Sequence, residues 1–129
     1  MRPYNPPVPV VRIRALPQPS ADVRAVTIAV ARALALELEE PPHGTWVTWQ
    51  TVDAYAEGGE APAEQPPDTH PPVAIVLAYR GRDPETIGRM LQCVGDTLVR
   101  ELDLEAGNVF VSFQELAPGH LYDAEGIRS

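Results

Sequence analysis

A chain of 129 residues with 44% apolar residues is long enough for one hydrophobic core and too short for two independent domains. Its net charge of −8, from 18 acidic and 10 basic side chains, argues against nucleic acid as a partner, because phosphate binding needs clustered cations. No segment approaches the roughly 20 apolar residues of a membrane span, and the opening Met-Arg-Pro-Tyr-Asn-Pro-Pro has no secretory apolar run. The expectation is a cytoplasmic protein with no membrane contact.

In chain order, residues 1–8 form a proline-rich lead-in without helical pattern. Pro9 to Leu16 is rich in β-branched residues and partly alternating, and reads as a strand. Pro17-Gln18-Pro19-Ser20 is a turn, with Ser20 as N-cap and Asp22 in the first turn of a helix that runs to about Glu39 and stops at Pro41-Pro42. Thr45 to Val52 is the second strand. Residues 53–71 change to Gly, Pro, Ala and Glu, and form either a linker between halves or a cover over a site. Pro72 to Tyr79 is a continuous apolar strand. Asp83-Pro84-Glu85 supplies an N-cap, a first-position proline and an early acid to a second helix. Val109 to Leu116 is a fourth strand, and residues 117–129 are a tail with turns.

The halves repeat. Trp46-Val47-Thr48-Trp49-Gln50 returns 64 residues later as Phe110-Val111-Ser112-Phe113-Gln114. At the same offset, Val23, Val26, Thr27, Val30, Leu34 and Leu38 match Ile87, Met90, Leu91, Val94, Leu98 and Leu102. Both sets have the i, i+3, i+4, i+7 spacing of a helix with one apolar face. The fold class is therefore α+β: a duplicated β-α-β (repeat one 9–52, repeat two 72–116) giving a four-stranded mixed sheet with both helices on one face. The alternating strands with Trp46, Trp49, Phe110 and Phe113 leave an apolar face opposite the helices, which predicts sheet-to-sheet packing in an oligomer.

The chemistry-bearing side chains are few. There is no lysine, so a lysine Schiff base is excluded and carboxylate recognition falls to arginine. Cys93 is the single cysteine, which excludes an intramolecular disulfide, and it reads as a half-buried structural thiol. His43, His70 and His120 lack ligand spacing, so neither metal nor cofactor is expected. Glu37 to Glu40 reads as solvated surface charge.

Pro9-Val10-Val11-Arg12-Ile13, Tyr79-Arg80-Gly81-Arg82 before a helix, and Asn108-Val109-Phe110-Val111-Ser112-Phe113-Gln114-Glu115 together resemble the tautomerase superfamily. The likeness is to its long form with two fused β-α-β units, as in malonate semialdehyde decarboxylase, cis-3-chloroacrylic acid dehalogenase and macrophage migration inhibitory factor (MIF). The resemblance runs from residue 9 to about 126. It implies a homotrimer and a catalytic N-terminal proline, at Pro9, whose secondary amine moves a proton on a small 2-oxo or unsaturated carboxylic acid or stays protonated and acts as an acid. It further implies that Arg80 and Arg82 bind the carboxylate, with Trp49 and Phe113 as apolar walls and Tyr122 from the tail lining the pocket or the trimer contact.

The sequence departs from that pattern at the proline. Pro9 follows Val8, so its nitrogen is an amide with no usable lone pair. Two readings stay open: translation starting at Val8 through a GUG codon, which would free Pro9, or a genuine extension, with Tyr4 at the pocket mouth, on an altered or non-catalytic trimer that binds a ligand or protein. The family's acid before the second strand falls near Gly44, beside His43, and an arginine used by single-repeat members falls on Pro19. A monomeric ferredoxin-like sensor domain is a third reading.

Overall fold

The computed structural model describes residues 9–41, 44–56, 58–59, 72–105, 107–117, 121–123 and 126–128. Tyr4 and the rest of the lead-in, most of the 53–71 segment, and His43, His70 and His120 lie outside the described residues. The elements are β1 (Val10–Ala15), α1 (Val23–Glu37), β2 (Trp46–Thr51), β3 (Val73–Tyr79), α2 (Pro84–Leu102), β4 (Phe110–Leu116), β5 (Leu121–Asp123) and β6 (Gly126–Arg128). β1 to β4 form one mixed sheet in the order β2-β1-β3-β4. β1/β2 and β3/β4 are parallel pairs, as a crossover helix requires, and β1 runs antiparallel to β3 in the centre.

The duplication is visible in the hydrogen bonds. The Trp46 N–H donates to the Pro9 carbonyl at 3.2 Å, and the Phe110 N–H donates to the Pro72 carbonyl at 3.1 Å. A proline has no N–H to give a ladder, so it suits the first position of a strand, where only its carbonyl is needed.

Strand alternation sorts the faces. Val11, Ile13, Ala74 and Val76 are buried with Val26, Val30, Leu34, Met90, Val94 and Leu98 of the helices, and Val47, Trp49, Val111 and Phe113 pack against that cluster. This corrects the expected oligomer face. Trp49 and Phe113 sit three residues from Trp46 and Phe110, so period two turns them under the helices. Only Trp46 and Phe110, 58% and 55% exposed, belong to the other face, beside the exposed Arg12 and Arg14.

Helix boundaries follow local chemistry. The cap of α1 is Asp22, whose carboxylate accepts from the Arg24 and Ala25 N–H groups. Ser20 does not cap it, because the helix begins two residues later than a serine cap would place it. At α2 the Asp83 carboxylate accepts from the Thr86 N–H at 2.7 Å, with Pro84 in the first turn. That hydrogen bond, foremost, holds the Asp83 carboxyl below its ordinary value. Both helices end in the same motif. Glu39 and Asp103 take left-handed backbone (φ 55 and 53). The Glu40 N–H then reaches back to the Ala35 carbonyl at 2.9 Å, as Leu104 N–H does to Val99 at 2.9 Å.

The tail differs from expectation. It holds a two-stranded antiparallel ribbon, β5 with β6, where only turns were read. No helix among the described residues is long and apolar enough to cross a membrane.

Candidate functional site

Register places the candidate residues. Val10 pairs with Leu77 and β1 opposes β3, so one further step sets Pro9 against Ala78, two residues before Arg80. The start of β1, the start of β2, the end of β3 and the end of β4 meet at this end of the sheet. The C-terminus of α1 and the N-terminus of α2 lie above it. Pro9 is fully buried. By the alternation that turns Val11 and Val47 under the helices, Pro9 and Thr45 belong to the helix-facing side.

Arg80, Gly81 and Arg82 form the turn into α2. Gly81 has φ 117, backbone that a side chain would strain, and that turn carries the chain from the sheet to the helix within three residues. Arg80 is exposed. The Arg82 side chain is only 9% exposed, with Nη2 3.9 Å from Oε1 of Glu40, itself 18% exposed. A second pair, Arg89 Nε to Glu37 Oε1 at 3.5 Å, ties the same two helix ends together. Acids in the last turn of a helix oppose its dipole; here arginines from the facing helix end offset them.

The Glu40–Arg82 contact is an ion pair without hydrogen bonds. Arg82 Nε and Nη2, Glu40 Oε2 and Thr45 Oγ1 are buried with no hydrogen-bond partner. Nε and Nη2 form one edge of the guanidinium, the edge that receives a carboxylate through two parallel bonds. At 3.9 Å the glutamate is near enough to offset the charge and too far to occupy those donors.

The remaining candidates divide. Trp49 aligns with Ile13, four residues from Pro9 along β1, and Phe113 with Val76, which pairs with Val11, two residues from Pro9; these offsets are roughly 13 Å and roughly 7 Å along the strands, and both side chains pack against the core. Their placement is that of core side chains, although Trp49 Nε1 is buried without a partner. Tyr122 lies on β5, paired with Ile127; its side chain is outside the described residues. The burial of Glu40 beside Arg82 is not legible in the sequence, because a run of acids reads as solvated surface. The signal that finds it is the repeat: 64 residues on, the position of Glu40 is Leu104.

Among the described residues no group of three or more His, Cys, Asp or Glu side chains is placed to hold a metal. Cys93 is half-buried, and burial, followed by the nearby Glu37, pushes its thiol pKa up, away from nucleophilic use. An open groove of about 310 Å³ runs between α2 and the start of β4, lined by Leu91, Gln92, Gly95 and Val109 among others, and is remote from Pro9.

The sequence matches no protein-family model and no curated protein. Solved structures do match in fold. A fused 4-OT symmetric trimer superposes with a TM-score of 0.76 at 15% identity, covering 92% of this chain and 94% of that one. Macrophage migration inhibitory factor from Toxoplasma gondii gives 0.65 at 15% identity, covering 92% and 98%. FG41 malonate semialdehyde decarboxylase inhibited by 3-bromopropiolate gives 0.62 at 24% identity, covering 87% and 86%. The element order, the mixed four-stranded sheet and these superpositions agree: the chain has the tautomerase/MIF fold, built from two β-α-β units.

Proposed function

We propose that this protein binds a small 2-oxo or unsaturated carboxylate at the Pro9 end of its sheet, with Arg82 as the anion ligand and Arg80 beside it. In a form that begins at Pro9, the proline amine would shuttle a proton between carbon and oxygen of the substrate, a keto–enol isomerisation or a related lyase reaction. The observation that carries this reading is the buried Nε–Nη2 edge of Arg82, with its donors unspent, at the sheet end where β1 starts. A burial of that kind fixes the guanidinium and excludes water, which strengthens the attraction for an anion.

A second reading is favoured by the peptide bond between Val8 and Pro9. An amide nitrogen cannot act as the base, so the chain as written would bind such an acid, or a protein partner, without turning it over. The fold neighbours named as trimers, and the exposed Trp46 and Phe110, support a homotrimer in either case.

The test compares the full chain with one beginning at Pro9. Ketonisation of a phenylpyruvate-type enol, and labelling by an amine-directed electrophile, should appear only in the truncated protein. Equal activity in both would remove Pro9 nitrogen from the mechanism; activity in neither, with ligand binding retained, would leave the binding reading.

A further inference from the structure

Two threonines are buried among the described residues, Thr45 and Thr97, and the fold treats their hydroxyls differently. The Thr97 hydroxyl donates to the Cys93 carbonyl at 2.7 Å. Thr45 Oγ1 is buried with no hydrogen-bond partner. A hydroxyl left in that state destabilises a fold by its lost hydration, and each such group in a native chain calls for an explanation. The second repeat shows that the scaffold does without it. At the offset of 64 residues, Thr45 becomes Val109, the same β-branched shape with a methyl in place of the hydroxyl.

Register fixes where Thr45 sits. Val10 pairs with Trp46, and the Trp46 N–H is bonded to the Pro9 carbonyl, so Thr45 stands beside Pro9. The helix-facing row continues from Pro9 through Ala78 to Glu115. The Gly44 N–H closes a turn on the Pro41 carbonyl at 3.1 Å, so β2 starts directly after the end of α1, where Glu40 meets Arg82. Thr45 and Arg82 thus bring buried, unpartnered donors to the same end of the sheet. The other polar groups there are placed differently. Arg80 and Glu115 are exposed, and Glu115 is three strands from Thr45, roughly 14 Å across the sheet. Glu40, as a carboxylate, offers only acceptors.

From this we infer that Thr45 is the second contact of the carboxylate seat and selects its ligand. Its hydroxyl donates to an oxygen on the carbon next to a carboxylate that lies on Arg82. The inference rests on the carboxylate-binding reading above and narrows it, from 2-oxo or unsaturated acids to the 2-oxo kind. The two donors differ as such a ligand requires. The guanidinium edge is charged and bidentate, which suits a carboxylate. The hydroxyl is neutral and gives one proton, which suits a ketone oxygen. In an unsaturated acid that position is carbon, and its entry would leave Thr45 Oγ1 dry and unpartnered. A buried polar group rejects the analogue that cannot pair with it more strongly than an apolar pocket rejects a change of size. Thr45 is therefore a specificity-determining residue: it reads the ligand's oxygen and leaves the charge to Arg82.

The probes are pyruvate and methacrylate, planar monoanions of nearly equal size; methacrylate carries a methylene where pyruvate has its ketone oxygen. Each is titrated calorimetrically into the full chain near neutral pH. Wild type should bind pyruvate about tenfold tighter than methacrylate, the ratio expected of one buried hydrogen bond. Thr45→Val, the residue of the other repeat, should bring the two affinities within about twofold of each other and raise the urea midpoint, because the unpartnered hydroxyl is gone. Thr45→Ser should keep the preference for pyruvate. Arg82→Gln should lose both ligands. If Thr45→Val does not fold, Thr45→Ala removes the same hydroxyl. An unchanged preference in the hydroxyl-free variant, with binding still dependent on Arg82, would overturn selection by Thr45 alone; that is the outcome if the hydroxyl holds only a water. Equal affinity of wild type for the two acids would overturn it in the same way. No binding of either acid by wild type, or binding that Arg82→Gln leaves intact, would overturn the carboxylate reading and this inference with it.

Discussion

Two left-handed residues end the helices, and neither is glycine. A side chain in that region costs roughly 1–2 kcal/mol, so Glu39 and Asp103 (φ 55 and 53) hold local strain that packing must offset. Glu39→Gly should raise stability by up to about 1 kcal/mol, less than the full strain because glycine also gains freedom in the unfolded chain. A shift of the urea midpoint to higher concentration checks this; a fall would mean that the Glu39 side chain makes a contact worth more than the strain. Asp83 gives a pH signature. Its folded-state pKa lies below the usual 3.8 because the Thr86 N–H stabilises the carboxylate. The group therefore adds stability above its unfolded pKa, which is lost as pH falls from the usual 3.8 through the lower folded value. Asp83→Asn should be less stable than wild type near neutrality, and the difference should shrink in acid denaturation series over that range.

The helices show why some of this architecture is legible in a sequence and some is not. Their apolar stripes recur at one offset with helical spacing, so the pattern carries both their existence and their pairing. The N-cap of α1 was misplaced because Ser20 and Asp22 are both good caps and only the tertiary position of the turn selects between them. Faces of the sheet went wrong for a different reason: Trp46 and Trp49 look alike, but an odd separation puts them on opposite sides. β5 and β6 were unreadable because three-residue strands such as Leu-Tyr-Asp and Gly-Ile-Arg have no period to detect. Glu40 escaped because charge runs are read one element at a time, and its partner Arg82 is 42 residues away. At element scale the fold makes one further prediction. Gly88 lies within α2, is exposed, and has nothing within 4 Å of where a Cβ would sit. Gly88→Ala should therefore stabilise the protein by about 0.5–1 kcal/mol through helix propensity alone, read as a higher unfolding midpoint with unchanged activity or ligand affinity.

At the scale of the whole molecule, the edge strands β2 and β4 carry the exposed aromatics. Each stands at the first residue of its strand, and the parallel pairings place the two at opposite ends of the sheet. Isolated exposed aromatics are ordinary, but a pair repeated by duplication on two edges fits edge-to-edge contacts between copies. Trp46→Arg together with Phe110→Arg should shift sedimentation from a trimer to a monomer without loss of the far-ultraviolet helical signal. A wild-type chain that sediments as a monomer would end the trimer proposal.

A duplicated chain assembled in threes would arrange six β-α-β units around one axis, an approximate sixfold ring. Its six unit ends would not be equivalent. Three would carry Glu40, Thr45 and Arg82, and three would carry Leu104, Val109 and Gln18, so charge would alternate around the ring while the backbone repeats. Under the proposed carboxylate-binding reading, fusion of two units would free one copy of the end from binding and let it serve packing alone. The price of sixfold regularity would thereby be avoided: in such a trimer half of the ring would specialise for ligand while the other half held it together.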